Sequence, residues 1–155
     1  MLAAALLLLA APAEANDLRG RFGFGFHAGL GSVSAISVRY AIPTKSPAMN
    51  IQLELDGGFA LAADTETELV AGGRLLYGLV AEDNLSLYGA GGAHYVSAAG
   101  SDFVRVQPAL GAEFFMFGLE NLGFGVEWGL NVDLGESTGV RTISGAPAVT
   151  VHYWF

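Results

Sequence analysis

Three histidines, His27, His94 and His152, and a scatter of arginines and carboxylates are the residues of this chain that could carry chemistry. Two histidines at similar height on facing walls, as His27 and His94 would be, could share a metal ion. No carboxylate stands at a short ligand spacing from either, so hydrogen-bonded interior histidines are expected, with no metal and no cofactor. Ser97, His94 and Asp102 form a Ser, His and acid grouping of the kind that acyl transfer needs. His94 alternates to the inward face while Ser97 is expected in a loop, so no catalytic residue is assigned. The run Gly23, Phe24, Gly25, Phe26, His27, Ala28 superficially matches a phosphate-binding glycine motif, but no helix follows it. The long charged residues Arg39, Glu54, Arg74, Arg105, Glu113 and Glu127 carry more information, because each interrupts an otherwise small and polar face.

Those residues are positioned by segments of strict period-two alternation, the pattern of a strand whose successive side chains point to opposite faces. The first, about Arg21 to Leu30, sets Phe22, Phe24, Phe26, Ala28 and Leu30 against Gly23, Gly25, His27 and Gly29. A turn at Gly31 to Ser34 leads to a second, with Ile36, Val38, Tyr40 and Ile42 opposite Ser37, Arg39 and Ala41, which Pro43 to Pro47 ends. The third, Met49 to Leu61, opposes Leu53, Leu55 and Phe59 to Gln52, Glu54 and Asp56. After a loop from Ala62 to Thr67, the fourth carries Leu69, Leu75 and Tyr77 against Glu68, Gly72 and Arg74. The turn Glu82, Asp83, Asn84 opens the fifth, with Leu85, Leu87, Ala93 and Tyr95 opposite Ser86, Tyr88, Gly92 and His94. The sixth opposes Val104, Val106, Leu110 and Phe114 to Arg105, Gln107, Gly111 and Glu113, with Pro108 mid-strand, where a bulge is expected. The seventh opposes Leu122, Phe124, Val126, Trp128, Leu130 and Val132 to Gly123, Gly125, Glu127, Gly129, Asn131 and Asp133. A loop from Leu134 to Thr142 precedes the eighth, in which Val149, Val151, Tyr153 and Phe155 share one side. Pairing neighbours through their turns brings Glu54 beside Arg74 and Arg105 beside Asp133. Such pairs read as plugs of a narrow interior, since ionised groups there are tolerable only when paired and hydrogen-bonded.

Composition agrees. Hydrophobic residues make up 52% of the 155 and charged residues only 14%, yet beyond the N-terminus no apolar run approaches a spanning helix. The length fits one domain, and eight strands of about ten residues would use nearly all of it. Acids outnumber bases 15 to 7, which disfavours nucleic acid as a partner. Lys45 is the only lysine, which is odd for a solvated surface. The absence of cysteine excludes disulfides, thiolate metal sites and a lipoprotein anchor. Residues 1–15 read as a secretory leader, with an apolar stretch from Leu2 to Leu9 and the small-x-small pattern Ala13, Glu14, Ala15 before cleavage at Asn16. The barrel domain is then 16–155. No basic residue precedes the apolar stretch, which leaves open a start upstream of Met1.

Eight alternating strands predict an all-β, eight-stranded antiparallel up-and-down transmembrane β-barrel. Alternation does not say which face is outside. A soluble barrel would solvate the polar face, but that face is largely Gly, Ala and Ser with occasional Arg and Glu, which suits a crowded interior. With the apolar face outward, Phe22, Tyr40, Tyr77, Phe114, Phe124, Tyr153 and Phe155 gather near one rim and Phe59 and Tyr95 near the other, as two aromatic girdles.

From about Arg21 to Phe155 the chain resembles the small eight-stranded bacterial outer-membrane barrels, and is similar to the transmembrane domain of outer-membrane protein A and to the outer-membrane protein X group. The resemblance implies residence in the outer membrane among its lipid and lipopolysaccharide, and insertion by the barrel assembly machinery. The stripe Val149, Val151, Tyr153 and Phe155 would be its assembly signal. The long outer loops common in that class are missing, which removes support for adhesion or receptor roles. The expected function is a closed, non-enzymatic structural or accessory component of the envelope, or of an envelope protein complex. A lipid A-modifying enzyme and a narrow channel are the alternatives.

Overall fold

A computed structural model describes residues 17–29, 33–45, 50–61, 67–98, 100–135, 138–142 and 147–155. The segment expected to be a leader at 1–15, the expected cleavage residue Asn16, the strand ends Leu30 and Met49, the turn residues Gly31 and Ser32, residues 46–48 of the second connection and residues 62–66 of the acidic loop lie outside them.

Ten strands follow one another: β1 (Phe22–Ala28), β2 (Ala35–Ala41), β3 (Ile51–Ala60), β4 (Glu68–Ala81), β5 (Leu85–Ala98), β6 (Ser101–Val106), β7 (Ala109–Met116), β8 (Leu119–Leu134), β9 (Gly139–Thr142) and β10 (Ala148–Trp154). They make eight staves, because β6 with β7 and β9 with β10 each lie end to end along a shared neighbour. All pairings are antiparallel between consecutive staves, and β10 pairs with β1 to close the barrel. The protein is thus an all-β, eight-stranded antiparallel up-and-down barrel. Closure pairs each of the eight staves on both sides over part of its length, although β9 is paired with β8 alone among the described residues.

The seam is tight because it is built on glycine. A Cβ on Gly25 would stand 1.7 Å from the Val151 carbonyl oxygen of β10, so only hydrogen fits there.

Two expectations are corrected. Pro108 makes no bulge: β5 and β8 keep the same register on both sides of it. Gln107 N donates to Gly92 O at 3.1 Å and Leu130 N to Pro108 O at 3.0 Å, so proline loses only the bond it would have given to the Leu130 carbonyl. Register shifts fall instead in β4, between Gly78 and Val80, and in the β7–β8 pairing, between Phe115 and Met116. The span read as loop from Leu134 to Thr142 also contains strand. β8 runs to Leu134, and β9 pairs back onto its residues 130–133.

Charged and most other polar side chains of the staves point inward and most large apolar ones outward, the exceptions being Val70, Leu76, Val96, Phe115 and Trp154, which are enclosed. Leu55 is 68% exposed while its neighbour Glu54 is 1% exposed. The girdle residues Phe22, Tyr77, Phe114, Phe124, Tyr153, Phe155, Phe59 and Tyr95 are exposed on the outer wall, with Tyr40 half-buried beside Phe22. The Phe22 and Tyr40 rings lie 4.7 Å apart, and Tyr153 meets Phe155 edge-on at 5.0 Å. Both described chain ends, with the β2–β3, β4–β5 and β7–β8 connections, lie at one end of the barrel, here called the terminal rim.

Candidate functional site

The lumen is layered. At the terminal rim Leu18, Ala41, Phe115 and Trp154 form a buried apolar cluster, with Trp154 fully enclosed. Near the opposite rim Ala35, Val70 and Val96 form a second, packed by Val33, Ala98 and Phe103. Between these stoppers lies a network of ionisable groups. Alternation dictates its membership, since a strand that shows leucine to the outside must turn its intervening residues inward.

Arg74 is the hub. It stands opposite Glu54 in the β3–β4 register and donates to Glu54 Oε2 through Nε at 3.0 Å and also through Nη2. Across the lumen it donates to Glu127 of β8, through Nη1 to Oε2 at 2.5 Å and through Nη2 to Oε1 at 3.0 Å. One guanidinium therefore ties β4 to both its neighbour and the far wall, which its planar fork of donors permits and an ammonium would not. Arg39 lies 3.2 Å from Glu54 Oε1 and 3.5 Å from Glu113 Oε1, and its guanidinium sits over the Tyr88 ring. Tyr88 Oη donates to Glu127 Oε1 at 2.7 Å, and Trp154 Nε1 to Glu113 Oε1 at 3.4 Å. Glycine makes room for this: a Cβ on Gly111 would enter the Tyr88 ring at 2.4 Å, and one on Gly92 would meet Arg74 Cγ at 2.7 Å.

Arg105 and Asp133 form a separate pair, opposite one another in the β6–β8 register, with Nε at 2.6 Å from Oδ1 and Nη2 at 3.0 Å from Oδ2. The Asp133 side chain is 17% exposed, so water reaches this pair and not the central one.

The histidines are all buried inside. Ser37 Oγ gives its proton to Glu54 Oε1 at 2.6 Å, so His152 Nε2, 2.9 Å from Ser37 Oγ, is the donor to it. His94 Nε2 meets Asp56 Oδ2 at 3.2 Å. His27 lies between two glutamates, with Nδ1 3.9 Å from Glu54 and Nε2 3.6 Å from Glu127. His94 and His152 are thus hydrogen-bonded interior histidines as expected, and the carboxylates near the three rings, distant along the chain, arrive from neighbouring and facing strands. His27, Glu54 and Asp56 offer atoms within 4.8 Å of one another, a spacing that could hold a metal ion. The Glu54 oxygens, however, are already engaged by Arg74, Arg39 and Ser37.

Ser97, His94 and Asp102 do not converge. Ser97 is not in a loop but on the outward face of β5, paired in register with Asp102 of β6, while His94 turns inward to Asp56. The sequence reading placed Ser37, Asp56, Tyr88, Gln107 and Asn131 on the inward face without giving them a role. Here Gln107 Nε2 donates to Asn131 Oδ1 at 2.9 Å, and its Oε1 accepts from Arg74 at 3.4 Å. Strand parity alone was the signal for them. Comparison with protein-family models, curated proteins and solved structures finds no match to this chain.

Proposed function

We propose that the protein is an integral outer-membrane barrel with a closed lumen, serving as a structural or accessory component of the bacterial envelope. The observation that carries this reading is the inversion of the usual pattern of burial. Arg39, Glu54, Arg74, Glu113 and Glu127 are enclosed, while Phe24, Phe26, Leu53, Leu55, Leu75, Leu110, Val126 and Trp128 cover the outside. In water such a wall would be one continuous apolar patch, far beyond what soluble proteins expose. In hydrocarbon it is the stable arrangement, because the closed ladder of staves pairs the backbone within the wall. The exposed aromatic residues toward the two rims support the same orientation.

This reading places the outer wall against lipid and lipopolysaccharide, and the class resemblance adds the barrel assembly machinery during insertion. Nucleic acid is not among the proposed partners. The short connections favour a protein partner that meets the outer wall or the terminal rim, where Lys45, Glu82, Asp83 and Glu120 lie, as part of an envelope complex. A non-enzymatic role is supported by the separation of His94 from Ser97 and Asp102. Fractionation of cells expressing the protein tests the reading: it should resist alkaline extraction, sediment with the outer membrane and run with heat-modifiable mobility in detergent gels. Recovery in the soluble periplasmic fraction would refute it.

A further inference from the structure

A hollow of about 450 Å³ interrupts the outer wall across β1 to β5, lined by Phe22, Val38, Tyr40, Leu53, Leu55 and Leu75. Its floor is bare backbone at Gly73 and Gly91. A Cβ added at Gly91 would meet no atom within 4 Å, so glycine is not demanded there by packing within the barrel. The hollow follows the register row Phe22, Tyr40, Leu53, Leu75, Gly91. Phe22 begins β1 and Tyr40 stands one residue from the end of β2, whereas Leu75 and Gly91 lie six residues from the terminal-rim ends of β4 and β5. The row therefore climbs from the rim toward mid-wall, and at about 4.8 Å per strand its four steps span roughly 19 Å, near the length of an extended fatty-acyl chain.

The foot of the row is basic. Arg19 Nη1 donates to the Thr44 carbonyl at 3.2 Å, which brings its guanidinium beside exposed Lys45, and Arg21 directly precedes Phe22. Asp17 neutralises part of this charge through its pair with Arg19, and Arg21 is bonded to Asn121 and the Trp154 carbonyl. Of the acids of the same rim, Glu82 and Asp83 sit on the β4–β5 connection, while Glu120, the second residue of β8, adjoins the Asn121 that Arg21 bonds and lies on the side of Arg21 away from Lys45. We infer that the hollow and the Arg19–Lys45 corner together bind one anionic phospholipid, its acyl chain along the glycine floor and its phosphate at the basic corner. The inference rests on the membrane reading above. It adds that one side of the barrel selects a lipid by charge and shape, where the remaining wall merely contacts the bilayer.

Native mass spectrometry of the protein released from vesicles of phosphatidylcholine mixed with phosphatidylglycerol tests it, with insertion checked separately by flotation. The wild type should retain one phosphatidylglycerol in preference to phosphatidylcholine. Gly91→Leu, which puts a side chain on the floor of the hollow where an added Cβ meets nothing within 4 Å, should abolish the retained lipid while the barrel still inserts. Lys45→Glu should lower retention about five-fold or more, the weight of one basic residue near an anionic surface. An inserted barrel that retains no lipid, or retains both lipids equally and indifferently to Gly91→Leu, would overturn the inference alone. Failure of the wild type to float with vesicles would overturn the membrane reading, and this inference with it.

Discussion

Removing the Arg74 guanidinium would take the main ionic partner from two carboxylates at once, leaving Arg39 alone to face Glu54, Glu113 and Glu127. Arg74→Ala is expected to cost about 3 to 5 kcal/mol in folded-state stability, the range for breaking a dry buried ion pair. Arg105→Ala should cost less, because Asp133 is partly hydrated. Restoring balance requires a triple change: Arg74→Met with Glu54→Gln and Glu127→Gln leaves Arg39 facing Glu113, and should recover much of the loss. Urea unfolding in lipid vesicles, followed by tryptophan fluorescence, measures all three. At the terminal rim the Arg19 guanidinium, hydrogen-bonded to Asp17, holds that carboxyl down at about 2. Because the folded value lies below the ordinary 3.8, the pair is present above that pH and is lost as the pH falls toward 2. A carboxyl NMR titration of Asp17 with a midpoint at 3.8 or above would contradict this.

The staves depend on which positions tolerate a side chain. Gly25→Ala would drive its methyl into the Val151 carbonyl and should prevent closure between β1 and β10. Gly89→Ala meets nothing within 4 Å and should leave the heat-modifiable mobility of the closed barrel unchanged. Equal behaviour of the two variants would mean that the seam is looser than described. The staves were legible in the sequence because leucine and phenylalanine alternate with small or polar residues, and any one-residue slip would have turned Glu54 and Arg74 to the outer wall. Two features were not legible. Pro108 sits where its missing N–H affects a single ladder bond, a matter of hydrogen-bonding parity rather than composition. β9 is only four residues long, too short for alternation to separate it from a turn. The lumen network was partly legible, since neighbours such as Glu54 and Arg74 follow from turn lengths. The contact of Arg74 with Glu127 spans the barrel, and depends on curvature that no pattern along the chain encodes.

As a whole molecule, the proposed outer-membrane barrel combines a lumen sealed by apolar stoppers with an outer wall immersed in hydrocarbon. An eight-stranded barrel leaves room for side chains alone, and here Trp154, Phe115 and the arginine–glutamate network occupy it. Planar-bilayer recordings of the wild type should accordingly yield no steady ohmic conductance, and a defined single-channel step would mean that the lumen opens. The orientation of the wall is the more basic claim, because the closed lumen and the bound lipid both presuppose it. It is tested most directly by nitroxide labels placed, one at a time, at Leu55 on β3 and Val126 on β8, two exposed apolar positions on well-separated staves. In vesicles both labels should be relaxed strongly by oxygen, which dissolves in lipid, and weakly by a water-soluble nickel chelate. Strong relaxation of both by the chelate would place the apolar wall in water and contradict the account.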